Sequence, residues 1–70
     1  MEISQIENWF TYHAPSNDDQ VAYEKLRSAA KSFAMAINDL CPESADKTAA
    51  IRKVREATMT ANAAIACKGK

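Results

Sequence analysis

The chain has 70 residues, with nine basic and nine acidic side chains and a formal net charge of +0 at pH 7. That length allows one domain, and one that buries only about 60% of the surface its unfolded form exposes, so a staple such as a disulfide, a metal or oligomerisation is expected. The even charge balance argues against duplex nucleic acid, which needs many phosphate contacts from a clearly basic surface, but leaves room for a small anion held by a few gathered cations.

The first predicted element is carried by "EISQIENWF", where Ile3, Ile6 and Trp9 or Phe10 fall at helical spacing. A short helix there ends near Tyr12 and His13, with "HAPS" as the connection. Residues 7–15, "ENWFTYHAP", hold the only Trp, the only His, one of two Phe and one of two Tyr. Trp9 and Phe10 read as core that closes the open end of the helices that follow. Tyr12 lies at a helix–loop junction, where an apolar ring with a polar tip can stack on a flat ligand while staying partly wet.

Pro15 and Pro42 are the only strong punctuation, and each precedes a helix-start pattern. In "PSNDDQ", Ser16 is the expected N-cap, with Asp18 and Asp19 in the first turn where carboxylates suit the helix dipole. Ala22, Leu26, Ala30, Phe33, Ile37 and Leu40 then form an apolar stripe, predicting a helix over 17–40. It should stop near Pro42, because the residue before a proline is pushed out of the α region. In "PESADKTAA", Ser44 is the expected cap ahead of Asp46 and Lys47. Ile51, Val54, Thr58, Ala61 and Ile65 continue at helical spacing to about residue 66, and the chain is expected to fray into "CKGK".

The only glycine is Gly69, so hairpins of strands are implausible. The expectation is an all-α single domain over residues 1–70, a short N-terminal helix followed by an antiparallel pair of longer helices. The many alanines of the third helix favour helix formation and close approach of the pair, with a further face left for another subunit. A compact homo-oligomer follows.

Cys41 and Cys67 fit no metal-ligand spacing, and a single His makes a tetrahedral zinc site within one subunit implausible. A Cys41–Cys67 disulfide requires the two helix ends to meet. Met1 is followed at once by Glu2, with no basic leader and no long apolar run, which predicts no signal peptide, no membrane span and two reduced thiols in a cytoplasmic chain. Oligomerisation is then the expected staple.

Catalysis finds no support. His13 has no nearby cysteine, no serine sits in a strained Gly-x-Ser-x-Gly turn, and no glycine-rich phosphate loop exists. Cations are more informative. Lys25, Arg27 and Lys31 lie off the second-helix stripe, with Arg27 and Lys31 four residues apart on one face. Arg52, Lys53 and Arg55 lie beside the third-helix stripe. They have an ordinary use, pairing with Asp18, Asp19, Glu24 and Glu56 at helical spacing or simple solubility. They have a second use in a symmetric oligomer, where copies bring cations together around a multiply charged anion at a subunit interface.

Three blocks in order, "ENWFTYHAP" (7–15), "DQVAYEKLRSAAKSFA" (19–34) and "PESADKTAAIRKVREATMTANAAIA" (42–66), make the chain resemble a family of small bacteriophage proteins, the anti-CBASS cyclic-oligonucleotide sponges. The resemblance implies a homohexamer of such helical subunits in the cytoplasm of an infected bacterium, binding cyclic dinucleotides such as cGAMP between subunits without cleaving them, with no cofactor or metal. The bacterial antiphage effector is thereby starved of its activator. It further implies that cyclic trinucleotides bind at separate pockets. By the same resemblance, the ring of Tyr12 stacks on a nucleobase and a second-helix cation of a neighbouring subunit pairs with phosphate, Arg27 first, then Lys25, then Lys31. Arg52 and Arg55, with Thr58 beside them, are the implied trinucleotide residues, whereas His13 and Pro15 shape the loop. A reading from another class also stands at this stage, a helical module that binds a host protein; a broad exposed apolar patch would be its signature.

Overall fold

A computed structural model describes all 70 residues as three helices without a strand: α1 (Ile3–Trp9), α2 (Asn17–Leu40) and α3 (Ala45–Ala66). α2 and α3 pack against each other as an antiparallel hairpin about 35 Å long at 1.5 Å per residue. No helix is long and apolar enough to cross a membrane.

Both long helices begin where their caps predict. Ser16 Oγ accepts from the Asp19 backbone N–H and Asp19 Oδ2 accepts from the Ser16 N–H, each at 3.1 Å, a reciprocal capping box. Ser44 Oγ accepts from the Lys47 N–H at 3.1 Å. α2 stops one residue before Cys41, which Pro42 holds in extended backbone (φ −99°, ψ 141°). The four residues Cys41–Ser44 make the hairpin turn.

Three expectations are corrected. α1 ends at Trp9 and not near Tyr12 and His13. The reason is local: Asn8 O, which the Tyr12 N–H would need in a continuing helix, instead receives the Thr11 N–H at 3.4 Å and His13 Nε2–H at 2.8 Å. Phe10 is 85% exposed and plugs nothing in the subunit, and Trp9, 47% exposed, leans on the last turns of α3 with its indole N–H donating to Lys70 O at 3.0 Å. Nor does the chain fray after residue 66. Lys68 N–H bonds Ile65 O at 3.2 Å and Gly69 N–H bonds Ala64 O at 2.9 Å, the paired bonds of a Schellman stop.

That stop carries an unusual residue. Lys68 occupies the left-handed position (φ +57°), usually glycine, at a cost of roughly 1–2 kcal/mol, and the glycine comes one residue later (φ +75°). Cys41 and Cys67 are free and sit at opposite ends of α3, roughly 33 Å apart along its axis, so the disulfide that required the helix ends to meet cannot close.

The hairpin buries little. Ile37 and Cys67 are its only buried apolar residues, and the molecule is a slab of 44 × 30 × 14 Å. Its accessible surface is 5725 Å², about 1,400 Å² more than the roughly 4,300 Å² expected of a compact monomer of 7.7 kDa. Leu26 and Ala30 face the seam with Ile37, as their stripe predicts, but Phe33 is 60% exposed and Leu40 is more exposed still.

Hydrogen bonding from the Ser16 backbone holds the Asp19 carboxyl below its ordinary value of 3.8, with the Lys68 ammonium adding to the effect and desolvation opposing it. A lowered folded-state value means that ionised Asp19 stabilises the fold above pH 3.8, and that this contribution is lost as pH falls through the folded value. Asp19→Asn should therefore lower the urea midpoint at neutral pH, at fixed protein concentration. The gap between variant and wild type should narrow below pH 3.8; a gap independent of pH would show that Asp19 ionisation does not support the fold.

Candidate functional site

α2 and α3 meet along small residues, and the seam residues Ala30, Val54 and Thr58 line grooves on both faces of the slab. The residues of the two grooves are offset by about 100° around each helix, so they open to opposite sides. The two faces differ in chemistry.

One face is cationic. Arg27 and Lys31 from α2 and Arg55 from α3 rim a shallow groove of about 290 Å³ over Ala34, Ile51 and Met59. None of these cations meets a carboxylate. The molecule's two ion pairs are Lys47–Glu43 in the first turn of α3 and Lys68–Asp19 at the other end of the hairpin. Of the two ordinary uses of the helix cations, pairing with Asp18, Asp19, Glu24 and Glu56 does not form. Thr58 lies at the seam of this groove, its Oγ1–H donating to Val54 O at 2.8 Å, which leaves the oxygen's lone pairs as acceptors.

The opposite face is apolar. Leu26, Phe33, Ile37, Ala50, Ala57 and Ala61 line a groove of about 550 Å³ with one cation, Lys53, at its edge. Arg52 faces neither groove; it lies with Lys53 and Glu56 around Thr48 and Ala49 on the outer side of α3. Lys25 is exposed and stands outside the cationic groove.

Tyr12 is 82% exposed on the connector between α1 and α2, and its hydroxyl makes no hydrogen bond. The connector is anchored at both ends. Asn8 Nδ2 donates to Cys67 O at 3.5 Å and Trp9 to Lys70 O, while Asp19 receives Lys68 Nζ at 3.3 and 3.4 Å. Arg27 lies ten residues into α2, about 15 Å along its axis from the connector. The structure thus brings Arg27, Lys31, Arg55 and Thr58 together in one groove. It leaves Tyr12, Lys25 and Arg52 elsewhere on the same chain.

The family model of the Acb2/Tad1 hairpin domain matches residues 1–66. The chain belongs to the Acb2/Tad1 family, the anti-CBASS cyclic-nucleotide sponges. No curated protein and no solved structure matches it.

For an Acb2/Tad1 chain, the geometry adds residues that sequence reasoning missed. Ile51 and Met59 form the floor of the cationic groove, and Lys68 pairs with Asp19 across 49 positions. Met59 lies four residues after Arg55, which places it on the same face, and that spacing was visible in the sequence. Lys68 could be found only once the helix stop was known to need a left-handed residue.

Three unpaired cations around one groove should take an oxyanion. Inorganic phosphate should raise the melting temperature above that in chloride of equal ionic strength. Arg27→Ala should lose most of that rise and Lys25→Ala should keep it; equal losses would show a diffuse charge effect with no groove behind it.

Proposed function

We propose that this protein sequesters cyclic dinucleotides in pockets formed between copies of itself, without cleaving them, and so withholds the activator of a CBASS effector in the infected bacterial cytoplasm. The observation that carries the reading is family membership over residues 1–66. The geometry is consistent with it. Tyr12 offers an exposed ring, the cationic groove offers unpaired guanidinium and ammonium groups, and about 15 Å of helix separates them within one chain. A ligand with bases and phosphates only a few ångströms apart therefore draws its ring from one copy and its cations from another.

In this reading the Tyr12 ring stacks on a base, and Arg27 of a neighbouring copy, with Lys31 beside it, holds the phosphates. Lys25, outside the lining of the groove, ranks behind Arg27 as the phosphate partner. A cyclic trinucleotide is assigned to Arg55 and Thr58, with Arg52 contributed from the outer side of α3. The excess exposed surface, about 1,400 Å², exceeds the roughly 800 Å² per partner of a standard interface, which supports an assembly of several copies, a hexamer in this proposal.

A second reading is favoured by one observation, the 550 Å³ apolar groove, which fits a helical module that docks on a host protein. The two readings differ in what covers that face: further copies of the chain in the sponge, a foreign protein in the module.

Titration with cyclic dinucleotides should show binding, and ligand recovered after denaturation should be intact; a linear product would overturn the sponge reading. Tyr12→Ala should weaken binding by between about fivefold and about a hundredfold, the range of one base–aromatic stack, without altering helicity. Light scattering should give a multiple of 7.7 kDa for the wild type, and Phe33→Asp should lower it. A wild-type chain running at 7.7 kDa would instead favour the module.

A further inference from the structure

Residues 67–70 lie past the span that the family model matches, so their role does not come with family membership. They nonetheless reach both the end of α1 and the start of α2. Cys67 is buried and its carbonyl receives Asn8 Nδ2 at 3.5 Å. Lys68 reaches both carboxylate oxygens of Asp19, in the first turn of α2. Lys70 O receives the Trp9 indole N–H at 3.0 Å. Three of these four residues thus hold the last residues of α1 and the first turn of α2, the two ends of the connector that carries Tyr12.

We propose that residues 67–70 form a strap that fixes the Phe10–Ser16 connector, with Lys68 as its positioning residue, so that Tyr12 is presented to ligand in one orientation. This rests on the sponge reading of Tyr12. The choice of residue at the helix stop is the decisive observation. Position 68 must be left-handed, where glycine is the least strained occupant, yet lysine stands there (φ +57°) and glycine follows it. A strained lysine is retained where its side chain has a contact that glycine cannot make, and the contact here is Asp19, 49 residues away. The Asp19 side chain is only 15% exposed whereas that of Lys68 is 67% exposed, so an ammonium on the solvent side reaches a carboxylate seated against the body of the molecule. Within the connector, His13 Nε2–H closes the loop onto Asn8 O, the same residue whose side chain the strap holds.

The physical gain is preorganisation. Tyr12 has no contact of its own that fixes it, and α1 is too short to hold its place by helix stability alone. Without the strap, the connector samples many conformations, and the ligand must select the competent one.

The test compares wild type, Lys68→Gly and Lys68→Arg by calorimetric affinity for cyclic GMP–AMP, by melting temperature, and by emission and acrylamide quenching of Trp9, the only tryptophan. Lys68→Gly relieves the backbone strain while removing the ammonium. Its melting temperature should hold or rise, its affinity should fall by up to about fivefold, as expected for one solvent-facing ion pair, and Trp9 should emit further to the red and quench more readily. Lys68→Arg should restore affinity and emission together. Wild-type affinity in Lys68→Gly would overturn the positioning role, as would a loss that Lys68→Arg does not restore. Should the wild type bind no cyclic dinucleotide, the sponge reading falls. Trp9 then decides the strap by itself, and unchanged quenching in Lys68→Gly would overturn it.

Discussion

The seam between α2 and α3 sets what the rest of the molecule can be. Ala30, Ala34, Ala50, Ala57 and Ala61 let two helices of over twenty residues approach closely, but each contributes only a methyl group to burial. The result is a slab 14 Å thick in which Ile37 is the one buried residue of the stripes. A two-helix layer has no interior to hold a ligand, so any site must be on a face or between copies. The absence of a deep single-chain cavity is thus a consequence of the alanine content, and it directs the function outward.

The two faces divide that outward role. On the apolar side the groove over Ala50, Ala57 and Ala61 is flanked by Leu26 and Phe33, side chains that gain by leaving water. On the other side Arg27, Lys31 and Arg55 have no carboxylate partners. Exposed cations cost little to leave unpaired in water, and a guanidinium free of an internal partner keeps its planar fork for a phosphate. Acidic residues are present in equal number along the chain, but three of them, Asp18, Asp19 and Asp46, sit at helix starts and none pairs with these cations. A neutral protein therefore has a locally basic face, which net charge could not reveal.

Much of the fold was legible because its signals are local. Ser16, Ser44, Pro15 and Pro42 act on their immediate neighbours, and the ends of α2 and α3 fall where those residues place them. The end of α1 was less legible because it depends on side-chain reach, His13 taking the carbonyl of Asn8. Phe10 and Phe33 were misjudged for another reason. Periodicity identifies an apolar face but not whether that face meets its own chain or another copy, and in this subunit both rings meet solvent. The site was legible in parts. Arg27 and Lys31 share a face by spacing alone, but their meeting with Arg55 and Thr58 depends on how α2 and α3 are rotated about the seam. The separation of Arg52 from Arg55, three residues apart, follows from the same rotation.

Sequestration makes particular demands on so thin a subunit. A protein that lowers the free concentration of a messenger must bind it at that low concentration, so any ordering required on binding directly weakens it. Under the sponge reading, two devices remove that requirement in advance. Copies closing over the apolar face would fix the cations of one chain relative to the ring of the next before any ligand arrives. The anchors at Asn8, Trp9 and Asp19 fix the connector relative to its own helices. The first device acts between chains and draws on hydrophobic burial, which salt does not screen. The second acts within a chain and includes an exposed ammonium, which salt does screen. Because the two respond differently to conditions, that reading makes the rigidity of the assembly and the orientation of Tyr12 separable properties of the same small chain.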